Sequence, residues 1–198
     1  MRTKRIGIYS GTFDPVHAGH IAFALQAMQA AKLDRVYFLP ERRPRHKIGV
    51  EHFAHRVAML KVATRPHSKL DVLETDDVSF TIKRTLPHLQ RRFKGKQLVF
   101  ITGSDVTEHL AEWPLSHRLL QSSELVVGLR GSHTQTDVES IALSWPQSAK
   151  QLHIIDSYAP HVSSRAIREA LRARKYTAGL LRSVAQYSNR HWLYISLA

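Results

Sequence analysis

No cysteine occurs in the 198 residues, which excludes disulfides and thiolate metal sites. Acidic residues are scarce: 16 Asp and Glu stand against 29 Lys and Arg, a formal net charge of +13. No run approaches the roughly 18 apolar residues that a membrane-spanning helix needs. The apolar stretch behind the basic start is too short for a secretory signal. Internal repeats, low-complexity segments, dividing linkers and the G-x-x-x-x-G-K-[ST] phosphate loop are all absent. A soluble, cytoplasmic, single-domain protein is the expectation, and 43% hydrophobic residues supply a good-sized core. The basic residues cluster at 2–5, 42–47, 83–96 and 165–182. Such a field attracts nucleic acid or anionic small molecules, or is simply a solvated face. No zinc-finger, helix-turn-helix or RNP pattern accompanies it, so nucleic acid is not the expected partner.

What is present is regular alternation. Apolar runs at 5–9, 35–39, 70–72, 97–101, 125–129 and 152–155 read as strands. Amphipathic segments at 18–33, 51–64, 81–93, 117–121, 137–148, 164–172 and 181–189 read as helices. Strand–helix alternation predicts an α/β fold, a Rossmann-like doubly wound parallel sheet. The core is expected over about residues 4–160, with a small helical part over about 161–198.

The chemistry concentrates in residues 10–20, SGTFDPVHAGH, between the first strand and first helix. A helix start offers unpaired N–H groups and the positive end of the dipole, both suited to phosphate. Gly11 lets the backbone approach a ligand where a Cβ would intrude. His17 and His20, three apart, fall together at the first turn and can donate to phosphoryl oxygens. An isolated H-x-x-H would read as a solvated cap.

Other segments are less specific alone. Residues 40–47, PERRPRHK, form a basic loop whose Arg45 and Lys47 can reach a triphosphate. His52 and His55 share helical spacing but lack a third ligand, so no protein-bound metal is expected. Ser79 is a sensible N-cap. Gly103 and Asp105 follow the fourth strand, and ligands bind at the carboxyl ends of strands in open parallel sheets. Trp113 is either core or a stacking platform for a flat heterocycle. Ser163 or Ser164 can cap a final helix whose N–H groups and Arg168 face an anion.

Residues 10–20 closely resemble the nucleotidyltransferase motif of the adenylyl- and cytidylyltransferase superfamily. The ordered set is similar, over nearly the whole chain, to bacterial nicotinate-nucleotide adenylyltransferases: Arg45-His46-Lys47, Ser79-Phe80-Thr81, Gly103-Ser104-Asp105 through Trp113, Ser163–Arg168 and Val184–Tyr187. The resemblance implies AMP transfer from ATP to nicotinate or nicotinamide mononucleotide, with pyrophosphate released, in NAD biosynthesis. His17, His20, Lys47 and Arg168 would be catalytic. ATP would meet Ser10, Gly11, Thr12, Phe13, His17, His20, Gly103, Asp105, Ser163, Ser164 and Arg168. The acceptor would meet Asp14, His46, Lys47, Phe80, Thr81 and Trp113. Mg²⁺ would arrive on the nucleotide phosphates. The competing readings are transfer to another phosphorylated acceptor, and a non-catalytic nucleotide- or nucleic-acid-binding relative. Three positions depart from the family pattern: Ser10 for glycine, Arg165 for threonine, and Pro114 for an aromatic. In that family, backbone N–H groups beside the tryptophan help read the nicotinate carboxylate, and proline has none.

Overall fold

A computed structural model describes residues 2–45, 47–156 and 162–195. Six strands form one sheet: β1 (Arg5–Gly11), β2 (Arg35–Pro40), β3 (Leu70–Val72), β4 (Gln97–Gly103), β5 (Glu124–Gly128) and β6 (Leu152–Ile155). Every pairing is parallel, in the order β3-β2-β1-β4-β5-β6. The chain winds outward one way from β1 and the other way from β4. The crevice where such a sheet takes its ligand therefore opens above the carboxyl ends of these two strands.

Helices cover both faces, as parallel strands buried on two sides require. One face holds α1 (Ala18–Ala30), α2 (Phe53–Thr64), α7 (Ser164–Arg172) and α8 (Arg182–Arg190). Phe23, Leu60, Ile167 and Val184 pack there against Tyr9, Val36 and Val99. The other face holds α3 (Thr85–Arg92), α4 (Ser104–Leu110), α5 (Ser116–Ser122) and α6 (Gln135–Leu143). Leu89, Leu110, Leu120 and Val138 pack there against Ile8, Phe100 and Val127. No helix among the described residues is long and apolar enough to cross a membrane.

The expected elements are present, with boundary shifts that have local causes. The first helix stops at Ala30, short of the expected residue 33. Lys32 turns left-handed at φ 49°, and the Leu33 and Lys32 N–H groups donate back to the Met28 and Gln29 carbonyls. That is the arrangement of a Schellman cap. The third helix begins at Thr85 rather than 81, because the Thr81 N–H donates to the Thr85 hydroxyl, which itself donates to Asp77. The sixth helix covers 135–143 rather than 137–148: Thr134 caps it by accepting from the Asp137 N–H. Helix α4 occupies the short stretch between Gly103 and Trp113. It starts directly at the end of β4, with Asp105 in its first turn beside the positive end of the dipole.

Candidate active site

Residues 12–17, joining β1 to α1, are anchored by groups distant in sequence. Arg56 is only 1% exposed. Its guanidinium donates to the carbonyls of Thr12 (2.7 Å), Glu51 (2.9 Å), Glu41 (2.8 Å) and Arg42 (3.1 Å). One buried cation thus ties the β1–α1 connection to the segment after β2, satisfying carbonyls that no ladder reaches. From the far side, Arg168 donates to the Asp14 carbonyl (2.6 Å) and Ser164 Oγ to the Pro15 carbonyl (2.9 Å). Gly11 has a steric reason: a Cβ there would lie 2.9 Å from the Phe13 ring folded back over it.

This anchored loop delivers His17 and His20 to the helix start. Their rings stack with centroids 3.7 Å apart, and the His17 N–H donates to His20 Nδ1 at 3.2 Å. Burial, reinforced by the Arg130 charge, pushes the His17 pKa down to about 4. Burial holds His20 well below the ordinary histidine value, with His17, Arg130 and Lys47 adding to the effect. Both imidazoles are therefore neutral at pH 7. Since His20 Nδ1 accepts, its proton sits on Nε2, which makes that nitrogen a donor. His17 Nδ1 is the one buried side-chain nitrogen or oxygen among the described residues that lacks a hydrogen-bond partner. A buried polar atom without a partner is uncommon in proteins and points to a ligand.

The depressed histidine has a consequence for stability. Between pH 6.5 and about 4 the unfolded chain takes up a proton that folded His17 refuses, so stability falls with falling pH across that window. Above pH 6.5 both states are neutral and the penalty is nil. The limiting loss is about 3 kcal/mol. His17→Asn is expected to flatten the acid limb in denaturant titrations at pH 7 and 4.5. An unchanged slope would show that the ring is not held neutral.

Two clefts meet at this point. The first, about 530 Å³, lies over the start of α1 and is walled by Asp14, His17, Ser163, Ser164, Arg165 and Arg168, among others. The second, about 350 Å³, opens between β1 and β4 and has an aromatic wall of Phe80 and Trp113, ring centroids 6.3 Å apart. Tyr9, Thr12, His20, Lys47 and Arg130 line both. Lys47 Nζ donates to Thr12 Oγ1 at 3.0 Å, closing the near side of the junction. Arg130 closes the far side, 3.7 Å from the Asp105 carboxylate and beside the buried Tyr9 hydroxyl, whose pKa burial pushes up to about 12. A Cβ on Gly103 would collide with Asp105 Oδ1 and come within 2.6 Å of Arg130 Nε, so only glycine leaves this pair its place.

The expected residues divide between the two clefts. Thr12, His17, His20, Lys47, Ser163, Ser164 and Arg168 gather at the first. Ser10, Gly11, Phe13, Gly103 and Asp105, expected on the ATP side, line the second with Phe80 and Trp113. Asp14, expected at the acceptor, borders the first. Thr81 borders neither; its hydroxyl accepts from the Arg84 N–H. His46 lies outside the described residues. Sequence reasoning passed over Arg130, Tyr9 and Arg56. Arg130 follows the strand end of β5 and falls under the same strand-end rule as Asp105. Arg56 stands out as a charge on the otherwise apolar face of α2 made by Val57, Met59, Leu60 and Ala63.

The cytidylyltransferase-like family model matches residues 8–170 and places this doubly wound sheet, with its two clefts joined at a histidine-bearing helix start, among the nucleotidyltransferases. Within that class the chain belongs to the nicotinate-nucleotide adenylyltransferase family. It is 33% identical to the nicotinate-nucleotide adenylyltransferase of Bacillus subtilis (strain 168), covering 98% of this chain and 100% of that protein. It is 32% identical to a probable nicotinate-nucleotide adenylyltransferase of Thermus thermophilus, covering 96% and 99%. The fold matches Plasmodium falciparum nicotinic acid mononucleotide adenylyltransferase complexed with NaAD at a TM-score of 0.81 and 19% identity, covering 98% and 100%.

Proposed function

We propose that this enzyme transfers AMP from ATP to nicotinate mononucleotide, with nicotinamide mononucleotide as a competing acceptor, and releases pyrophosphate as a step of NAD biosynthesis in the cytoplasm. The observation that carries the reading is the pair of clefts sharing one wall of neutral histidine and cations. ATP is assigned to the first cleft, where donors and positive charges crowd a helix N-terminus. The acceptor is assigned to the second, where Trp113 and Phe80 offer an apolar platform to a pyridine ring.

An acceptor phosphate oxygen attacks the α-phosphorus in line; a new P–O bond forms as the bond to the β-phosphate bridging oxygen breaks. The attacking phosphate is already an anion at neutral pH, so no general base is required. Catalysis rests on positioning and charge stabilisation. His20 Nε2–H donates to an α-phosphoryl oxygen; Lys47 and Arg130 offset charge at the junction; Arg168 meets the leaving pyrophosphate. Apart from the buried Asp14 carboxylate, whose Oδ1 already accepts from the Tyr194 hydroxyl and the Glu51 N–H, the polar groups around the first cleft are mainly cations and hydrogen-bond donors, which fit phosphate oxygens rather than a metal ion. Mg²⁺ therefore comes in this reading as a passenger of the triphosphate, where it neutralises pyrophosphate charge. The test is pyrophosphate release with ATP across a panel of phosphorylated acceptors. Turnover confined to a non-pyridine acceptor, or absent throughout, would overturn the reading.

Choice between acid and amide turns on Pro114. The Trp113 N–H is engaged by the Leu110 carbonyl and the Ser116 N–H by the Trp113 carbonyl, while Pro114 has no N–H. A carboxylate docked there lacks a donor whose loss costs about 1–3 kcal/mol. The ratio of kcat/KM for acid over amide is expected about tenfold below that of the Bacillus subtilis relative assayed alongside. An equal ratio would show that a cation such as Arg45, which also lines this cleft, fills the gap.

A further inference from the structure

We infer that Tyr194, near the end of the chain, is a positioning residue for ATP: through Asp14 it keeps the Arg168 guanidinium available to the first cleft. The inference rests on the assignment of ATP to that cleft.

The Asp14 carboxylate is 5% exposed, and a buried carboxylate must be hydrogen-bonded. Its Oδ1 accepts from the Tyr194 hydroxyl at 2.7 Å, across 180 residues of sequence, and from the Glu51 N–H at 3.3 Å. Its Oδ2 lies 3.7 Å from Arg168 Nη1, too long for a hydrogen bond. That same nitrogen donates at 2.6 Å to the Asp14 main-chain carbonyl. Arg168 is thus ion-paired with the carboxylate without being hydrogen-bonded to it, and it lines the first cleft. The phenol is what satisfies the carboxylate in its place.

The hydroxyl is well suited to that task. Burial, and then the Asp14 charge, push the Tyr194 pKa far above the ordinary phenol value, so it remains a donor at every working pH. Its position is fixed from several sides. Trp192 and Tyr194 both turn left-handed, at φ 54° and 59°. The Leu193 N–H donates to the Ser188 carbonyl (3.0 Å), and the Ser188 hydroxyl returns to the Leu193 carbonyl (3.2 Å). Helix α8, which leads into this turn, contacts α2 through the Tyr187 hydroxyl and His55 Nδ1 at 3.0 Å.

Without the hydroxyl, the nearest strong donor to Asp14 is Arg168. A shift of about 1 Å turns that ion pair into a hydrogen-bonded one and commits the guanidinium to Asp14 rather than to a nucleotide in the cleft. Tyr194→Phe retains the ring and its packing and deletes only the donor. Calorimetry on the wild type and Tyr194→Phe is expected to show ATP binding weakened about tenfold. The acceptor KM, which depends on the other cleft, and the circular dichroism are expected to stay as in the wild type. Adding Asp14→Asn removes the charge that captures Arg168, and is expected to restore part of the ATP affinity lost. Unchanged ATP affinity in Tyr194→Phe would overturn the inference. So would a parallel loss of ATP affinity, acceptor KM and melting temperature that Asp14→Asn does not relieve, since that marks packing alone. The underlying reading fails separately: wild-type protein that binds ATP yet releases no pyrophosphate with a pyridine mononucleotide refutes the acceptor, not the role of Tyr194.

Discussion

Replacing His20 with alanine is expected to lower kcat by about 10²–10³, while ATP binding changes far less. The imidazole is neutral, its Nδ1 is occupied by the His17 N–H, which leaves the proton on Nε2, and the residue lines both clefts. A neutral donor gains most as charge gathers on the phosphoryl oxygens in the transition state, so its removal shows in kcat rather than in binding. The ring also rests against Phe13 at 5.1 Å and Tyr9 at 6.0 Å. Circular dichroism and melting temperature must therefore accompany the rates. His20→Gln, which retains an N–H, is expected to recover part of the loss. A well-folded His20→Ala with near-normal turnover would remove this histidine from the chemistry.

Arg130→Leu is the second large effect: kcat/KM is expected to fall about 10²-fold for ATP and for the acceptor together. One guanidinium lines both clefts, and a charge-assisted hydrogen bond to phosphate is worth about 1.5–3 kcal/mol. Arg130→Lys maintains the charge but not the planar fork, and an intermediate loss is expected. The signature is the joint effect, measured by varying each substrate at saturation of the other. A loss confined to one nucleotide would place Arg130 within a single cleft. The Asp105 carboxylate, left without its partner at 3.7 Å, is half exposed and can rehydrate, so little of the effect is owed to it.

The fold was legible in the sequence because short apolar runs alternate with longer segments of mixed polarity along nearly the whole chain. Residues 10–20 were legible because loop, helix start and histidines are contiguous. What the sequence did not disclose depends on side chains meeting from afar. Arg56 is an arginine on a helix until the structure shows four carbonyls around it. Asp14 sits within the recognisable motif, and its motif membership suggested a substrate contact. Its hydroxyl partner lies at the other end of the chain, where no local pattern announces it. The division of residues between clefts likewise depends on the strand order, which sets the end of β4, with Gly103 and Asp105, beside β1 at the cleft that Phe80 and Trp113 line. Spacing carries no information about that.

The shared wall has an implication for how selectivity can change. Five residues line both clefts, and in the proposed reaction His20, Lys47 and Arg130 among them meet the phosphates, which every donor and acceptor possesses. Residues 8–23 and 41–50 supply walls to both clefts, but each cleft also has a wall from a stretch the other does not use: 162–168 for one, and the Phe80 and Trp113 regions for the other. A substitution at Phe80 or Trp113 reaches the acceptor base without crossing the chemistry, and one at Val162 reaches the donor in the same way. Donor and acceptor preference can then drift independently over evolutionary time, each tuned by its own segment, while the reaction centre between them stays constant.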